Sequence, residues 1–155
     1  MKISKNLKND MAHAPEWFQR AINASPEEKV LGDVKGNISY SFWKSKSETS
    51  NLIILIHGTG AHKKWWYPIA PGLNSNAHVI SIDLPGMGDS DFRESYKVED
   101  FGDCVTSVIK HEKDINNSTY TYLVGHSLGG HVAGFVATEE KELIDGLMII
   151  DTFIR

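Results

Sequence analysis

One serine in this chain stands in a setting that suits it for nucleophilic attack. Gly125-His126-Ser127-Leu128-Gly129 has the form G-x-S-x-G. It follows Thr121 to Val124, a short β-branched and apolar run of the kind that makes a buried strand. Small or apolar residues come after it at helical spacing: Val132, Ala133, Val136 and Ala137. A serine on so tight a strand-to-helix turn stands clear of the sheet, where its hydroxyl can reach a carbonyl carbon. Glycines two before and two after it let neighbouring chain pass close without a Cβ clash. The N–H of Leu128, at the start of the new helix, can hold an oxyanion. The competing reading is a plain glycine-rich turn, against which the strand before and the helix after both speak.

Three other segments occupy comparable positions. Leu52 to Ile56 is a continuous apolar run, the mark of a parallel strand buried on both faces, and it ends at His57-Gly58-Thr59-Gly60. Val79 to Ile82 reads as a strand and leads into Asp83-Leu84-Pro85-Gly86-Met87-Gly88-Asp89-Ser90. Leu147 to Ile150, opened by Gly146, is another buried strand and ends at Asp151. Functional residues of open α/β sheets gather just past the carboxyl ends of strands. Four strand ends carrying special residues are hard to place there by chance.

The remaining elements must position these ends. Glu16 to Ala24, behind Pro15, predicts a short helix with Trp17, Phe18 and Ile22 on one side, packed across the domain. Glu28 to Val34 and Asn37 to Trp43 predict a hairpin, with Ile38, Tyr40 and Phe42 alternating against Ser39 and Ser41. Lys63 to Leu73 predicts one irregular helix interrupted by Pro68 and Pro71. Val98 to about Asp114 predicts a helix with Phe101, Val105, Val108 and Ile109 on one face. After the hairpin the order is β-α-β-α-β-α-β. The expected class is therefore α/β, a mostly parallel sheet with helices on both faces. Residues 1–27 read as an N-terminal extension with a short helix, and 28–155 as the core.

Composition narrows the partners. With 155 residues, 41% hydrophobic and 23% charged, the chain suits one globular domain. A net charge of -4 and the absence of a basic cluster with interleaved aromatics argue against nucleic acid; Lys63-Lys64 is too short to count. Cys104 is the only cysteine and reads as a packing thiol in a helix. No apolar stretch has the length of a signal peptide core or a membrane span, which gives a cytoplasmic expectation. Asp89 and Asp91 have no His or Cys beside them, so they read as loop-stabilising residues, and neither a metal nor an organic cofactor is expected.

From about Val30 to its last residue the sequence resembles the α/β-hydrolase family, on three motifs in family order. Leu55-Ile56-His57-Gly58-Thr59-Gly60 is similar to that family's oxyanion segment after its third strand. Asp83 to Ser90 is similar to the loop after its fourth, and Gly125 to Gly130 to the nucleophile elbow after its fifth. The resemblance implies that Ser127 is the nucleophile and forms an acyl-enzyme. It implies that the Thr59 and Leu128 backbone N–H groups form the oxyanion hole, with Gly58 letting the loop turn its amide inward. It also implies a small-molecule acyl substrate. His57 is expected to fix the loop by hydrogen bonding rather than to move protons. His62 is a candidate contact at the rim of the site. His126 is expected to point away from substrate, and His131, one turn into the helix, lies behind Ser127. Trp65 and Trp66 suit either an acyl pocket or the core, their spacing favouring the core. Asp151 has two readings, the triad acid that some members place after strand six, or a residue that shapes the pocket.

The family pattern then breaks. Its order is serine, acid, histidine, and no histidine after His131 follows Ser127. The expectation is a core truncated after strand six, an N-terminal portion of a longer protein that is inactive alone. Strand six would be an uncharged apolar edge, open to self-association. The function expected is a serine hydrolase of an ester or related acyl bond. The alternative is a non-catalytic protein of the same fold that holds a small ligand, which ligand-induced stabilisation without turnover would mark.

Overall fold

The computed structural model describes residues 13–33 and 35–153. Residues 1–12 of the expected N-terminal extension and the expected strand end at Val34 lie outside them. Six strands form one sheet: β1 (Glu27–Asp33), β2 (Gly36–Trp43), β3 (Asn51–Ile56), β4 (His78–Ile82), β5 (Tyr120–His126) and β6 (Gly146–Ile150). Their spatial order is β1-β2-β4-β3-β5-β6. The hairpin pairs antiparallel, and β2 joins β4 antiparallel, Tyr40 opposite Ile82. From β4 onward all pairing is parallel, with Ile56 beside Ile82 and Gly125, and Ile150 beside His126. The carboxyl ends of β3, β4, β5 and β6 therefore lie along one edge of the sheet.

Alternation along the central strands assigns side chains to two faces. Leu52, Ile54, Ile56, Ile80 and Ile82 point to one face, where α3 (Val98–Asn116) supplies Phe101, Val105, Val108 and Ile109, and α4 (Leu128–Glu139) supplies Val132, Ala133 and Val136. Leu55 and Val79 point to the other, under Trp43, Trp66 and Ala70. The expected two-faced arrangement is present, but the second face has far lighter cover. Among the described residues, only a 3₁₀ turn, Lys63–Trp66, and the four-residue α2 (Ala70–Leu73) lie there on the central strands. Val124 packs on that face, so Tyr122 and, by register, Met148 share it, and both are exposed.

Three expectations need correction. The single helix over Lys63 to Leu73 is split in two. Pro68 has no N–H to donate, so the first turn cannot run on, and Pro71 falls in the first turn of α2, where no donor is needed. The split separates the tryptophans: Trp66 is buried, whereas Trp65 is 56% exposed. Second, α1 (Glu16–Asn23) buries none of its residues fully, and Trp17 is 57% exposed. Its eight residues make only about two turns, too short to lay a broad stripe across the sheet. It is tied on by its C-terminal end, where Trp43 Nε1 donates to the Ala24 carbonyl at 3.0 Å. Third, α3 runs two residues further than expected and stops at Asn117, whose φ of 50° is a left-handed cap that asparagine tolerates. Among the described residues no helix is long and apolar enough to cross a membrane.

Candidate active site

The elbow is built by close approach. A Cβ at Gly125 would strike the Gly129 carbonyl, and one at Gly129 would strike the Ile56 carbonyl, so glycine is required at both. Between them Ser127 takes φ 52° and ψ −118°, a conformation that a side chain disfavours and that costs about 1–3 kcal/mol. The surrounding bonds hold it there. Its N–H donates to the Ile150 carbonyl at 3.0 Å. Its carbonyl accepts from the Gly130 N–H at 2.9 Å and from Thr152 Oγ1 at 3.0 Å. Thr152, which carries no motif, was not singled out from sequence; only the pairing of β6 with β5 brings it under the elbow.

The oxyanion segment approaches from β3. Gly58 is buried, and a Cβ there would lie 3.1 Å from Ser127 Cβ and 3.0 Å from His126 Nδ1. The segment therefore touches the elbow, and Thr59 follows next in the chain. Leu128 is the first residue of α4, so its N–H has no intrahelical acceptor. Among the described residues no hydrogen bond takes up the N–H of Thr59 or of Leu128. Thr59, next in the chain after Gly58, and Leu128, next after Ser127, thus each keep an N–H without an acceptor among the described residues.

His57 is fully buried. Its Nε2 accepts from the Leu84 N–H at 3.1 Å, so the ring proton sits on Nδ1 and is donated to the Gly58 carbonyl at 2.8 Å. Burial holds this imidazole below its ordinary pKa, in keeping with a neutral bridge between the oxyanion segment and the β4 loop. The expected loop-fixing arrangement is present.

The other candidates are dispersed. His62 is exposed on the wall of a cavity of about 220 Å³ shared with Lys63, Lys64, Asp83, Gly88 and Asp89, none of them from the elbow. His131 is exposed and meets Ser127 only through its backbone N–H, 3.4 Å from the serine carbonyl. Asp151 is exposed, has φ 47°, and directs its carboxylate at His126, with Oδ2 3.9 Å from Nε2. His126 also stacks on Trp65, ring centres 5.6 Å apart. Trp65, favoured for the core by its spacing, in fact stands beside the elbow. Asp89 and Asp91 stabilise loops as expected: Asp89 accepts from Lys63 Nζ at 2.6 Å, and Asp91 from the Asn37 N–H at 2.8 Å. Among the described residues none hydrogen-bonds the Ser127 hydroxyl, and no three potential metal ligands come together.

Known proteins resemble both the chain and this arrangement. A family model described as the alpha/beta hydrolase fold matches residues 51–155. A pimeloyl-(acyl-carrier protein) methyl ester esterase of Neisseria meningitidis is 31% identical over 112 residues, covering 72% of this chain and 41% of the esterase. The monoacylglycerol lipase abhd6-A of Xenopus laevis is 29% identical over 137 residues, covering 86% of this chain and 39% of the lipase. Among solved structures, the thioesterase domain from the curacin biosynthetic pathway superposes with a TM-score of 0.73 at 27% identity, covering 83% of this chain and 47% of that one. The chain thus spans about two fifths of the curated relatives it matches.

Proposed function

The chain belongs to the α/β-hydrolase family, and on that premise we propose that it is the nucleophile-bearing part of a serine hydrolase acting on an ester or related acyl bond. One observation carries the proposal, the strained backbone of Ser127 against the Gly58 segment, with the neighbouring Thr59 and Leu128 N–H groups unengaged. A protein that merely binds has no use for such strain; a nucleophile that must stand clear of the sheet does.

In this reading Ser127 Oγ attacks the acyl carbonyl carbon. Its C=O π electrons move to oxygen, and the Thr59 and Leu128 N–H groups take up that negative charge. The tetrahedral intermediate then expels the alkoxide, which leaves protonated, and Ser127 is acylated. Water attacks the ester so formed, releases the acid and returns the proton to Ser127. Each half needs a base that first accepts and then returns a proton. The described residues place none at Ser127, so the reading requires one from outside them. Gly58 lets the oxyanion segment lie against the serine. Asp151 is assigned to the pocket wall beside His126 and Trp65 rather than to the triad. The relatives act, by their names, on a methyl ester, a monoacylglycerol and, for the solved domain, a thioester. The bond they share is an acyl group on oxygen or sulfur, and we assign that class to this protein.

The test is acylation of the natural gene product by p-nitrophenyl esters of short and medium chain. A burst of p-nitrophenol, with the acyl mass on the peptide holding Ser127, is expected. Steady ligand-induced stabilisation with no burst and no acylated peptide would instead favour a ligand-binding protein.

A further inference from the structure

Lys63 is the most unusual group near the site. Its side chain is only 2% exposed, yet it carries a full charge. Nζ donates to Ser39 Oγ at 2.8 Å, Asp83 Oδ2 at 3.0 Å and Asp89 Oδ2 at 2.6 Å, and Glu28 Oε2 lies 3.5 Å away. Burial alone would lower this ammonium's pKa, but the bonds to Asp89 and Asp83 outweigh it and hold it up at about 12. Its backbone is fixed as well: the N–H donates to Asp83 Oδ1 at 2.5 Å, and the carbonyl accepts from Ser81 Oγ at 2.7 Å. One residue thus joins β1, β2, the end of β4 and the β4 loop.

A buried ion pair is a poor device for stability, since apolar replacements of similar volume are often at least as stable. Its best-attested use is to fix register. What Lys63 fixes is the chain on either side of it. Four residues before it lies Thr59, and two after it lies Trp65, which stacks on His126. The Gly58-to-His62 segment has few anchors of its own. The His57 ring holds its start, and the Ala61 N–H donates to the Gly58 carbonyl at 3.2 Å. Its far end is held by Lys63 and by the Trp65 N–H, which donates to the His62 carbonyl at 2.9 Å.

We propose that Lys63 is a positioning residue of the active site, clamping the far end of the oxyanion segment so that the Thr59 N–H faces Ser127. The proposal rests on the reading of Thr59 as an oxyanion donor.

Two variants of the natural gene product test it. Lys63→Met removes the charge. Asp89→Asn weakens one bond at a carboxylate that is 68% exposed, and so keeps the test alive should the first variant not fold. Amide exchange is read by mass spectrometry. In either variant, exchange over 58–62 should quicken roughly tenfold, with β3 and β5 unchanged. Phosphonylation of Ser127 by a fluorophosphonate, per folded molecule, should slow by up to about a hundredfold, the cost of misplacing one oxyanion donor. Unchanged exchange over 58–62 in the folded variants overturns the proposal. So does exchange that quickens equally in β3 and β5, and so, where the wild type labels, does phosphonylation that matches it. If exchange responds as expected but the wild type itself does not label, the clamp stands and the serine-hydrolase reading falls.

Discussion

Ser127 holds a backbone conformation that glycine would hold with less strain. That gives a prediction separable from chemistry. Ser127→Gly should raise stability by about 1 kcal/mol, whereas Ser127→Ala, which keeps a Cβ, should not. Thermal unfolding of both variants checks it, and equal melting temperatures would contradict the strain. His57 gives a second. Its pKa in the folded protein lies below the ordinary histidine value because it is buried, and His78 behaves likewise for the same reason. The unfolded chain therefore binds these protons more readily. Their stabilisation is complete above a pH of about 6.5 and is lost as pH falls through the lowered values of the folded state. Urea midpoints measured from pH 7.5 to 5 should decline, and less steeply in His57→Gln. Ser127, Gly58 and His57 were legible because their motifs are local. Lys63 and Thr152 were not, and for Trp65 the spacing favoured the core over the site. The side chains that hydrogen-bond Lys63 Nζ lie 20 to 26 residues away along the chain, and Thr152 meets a carbonyl 25 residues back. No short pattern encodes such a meeting.

Between elements, one buried carboxylate fastens the hairpin to α3. Glu112 is fully buried on α3 and accepts from Tyr40 Oη at 2.6 Å, Lys29 Nζ at 3.1 Å and Asn116 Nδ2 at 2.8 Å. Burial and this carboxylate push the Tyr40 phenol well above its ordinary pKa. Removing the carboxylate leaves a buried hydroxyl and a cation without their partner. Glu112→Ala should therefore cost about 3–5 kcal/mol, and Tyr40→Phe only about 1–2. Equilibrium urea unfolding measures both, and equal losses would contradict the shared role of Glu112. The strands and long helices themselves were readable, since periods of two and of about 3.6 are set by local geometry. The Lys63 to Leu73 stretch misled because its apolar spacing is helical while its prolines break the hydrogen bonding. The α1 stripe misled because amphipathic spacing says which side is apolar, not how deeply it packs.

At the scale of the whole molecule the sheet ends at β6, whose outer side is unpaired among the described residues. Leu147, Met148 and Ile150 are exposed there, with Tyr120 and Tyr122 on the neighbouring strand. An edge without charge or proline invites another strand. The 155-residue chain, expressed as such, should associate as its concentration rises, and Met148→Lys should reduce this. Sedimentation velocity reads both, and a monomer at all concentrations would contradict the expectation. That edge was legible as an apolar run at strand length. The bare sheet face beside it was not, because which helices cover a sheet depends on chain that packs from elsewhere.

The central claim is that Ser127 is a nucleophile, and covalent labelling tests it most directly. A fluorophosphonate probe is applied to the natural gene product and to its Ser127→Ala variant, and the labelled peptide is sequenced. A single label is expected on the peptide spanning Gly125 to Gly130, and none in the variant. Equal labelling of wild type and Ser127→Ala, or a label at another residue, would contradict it.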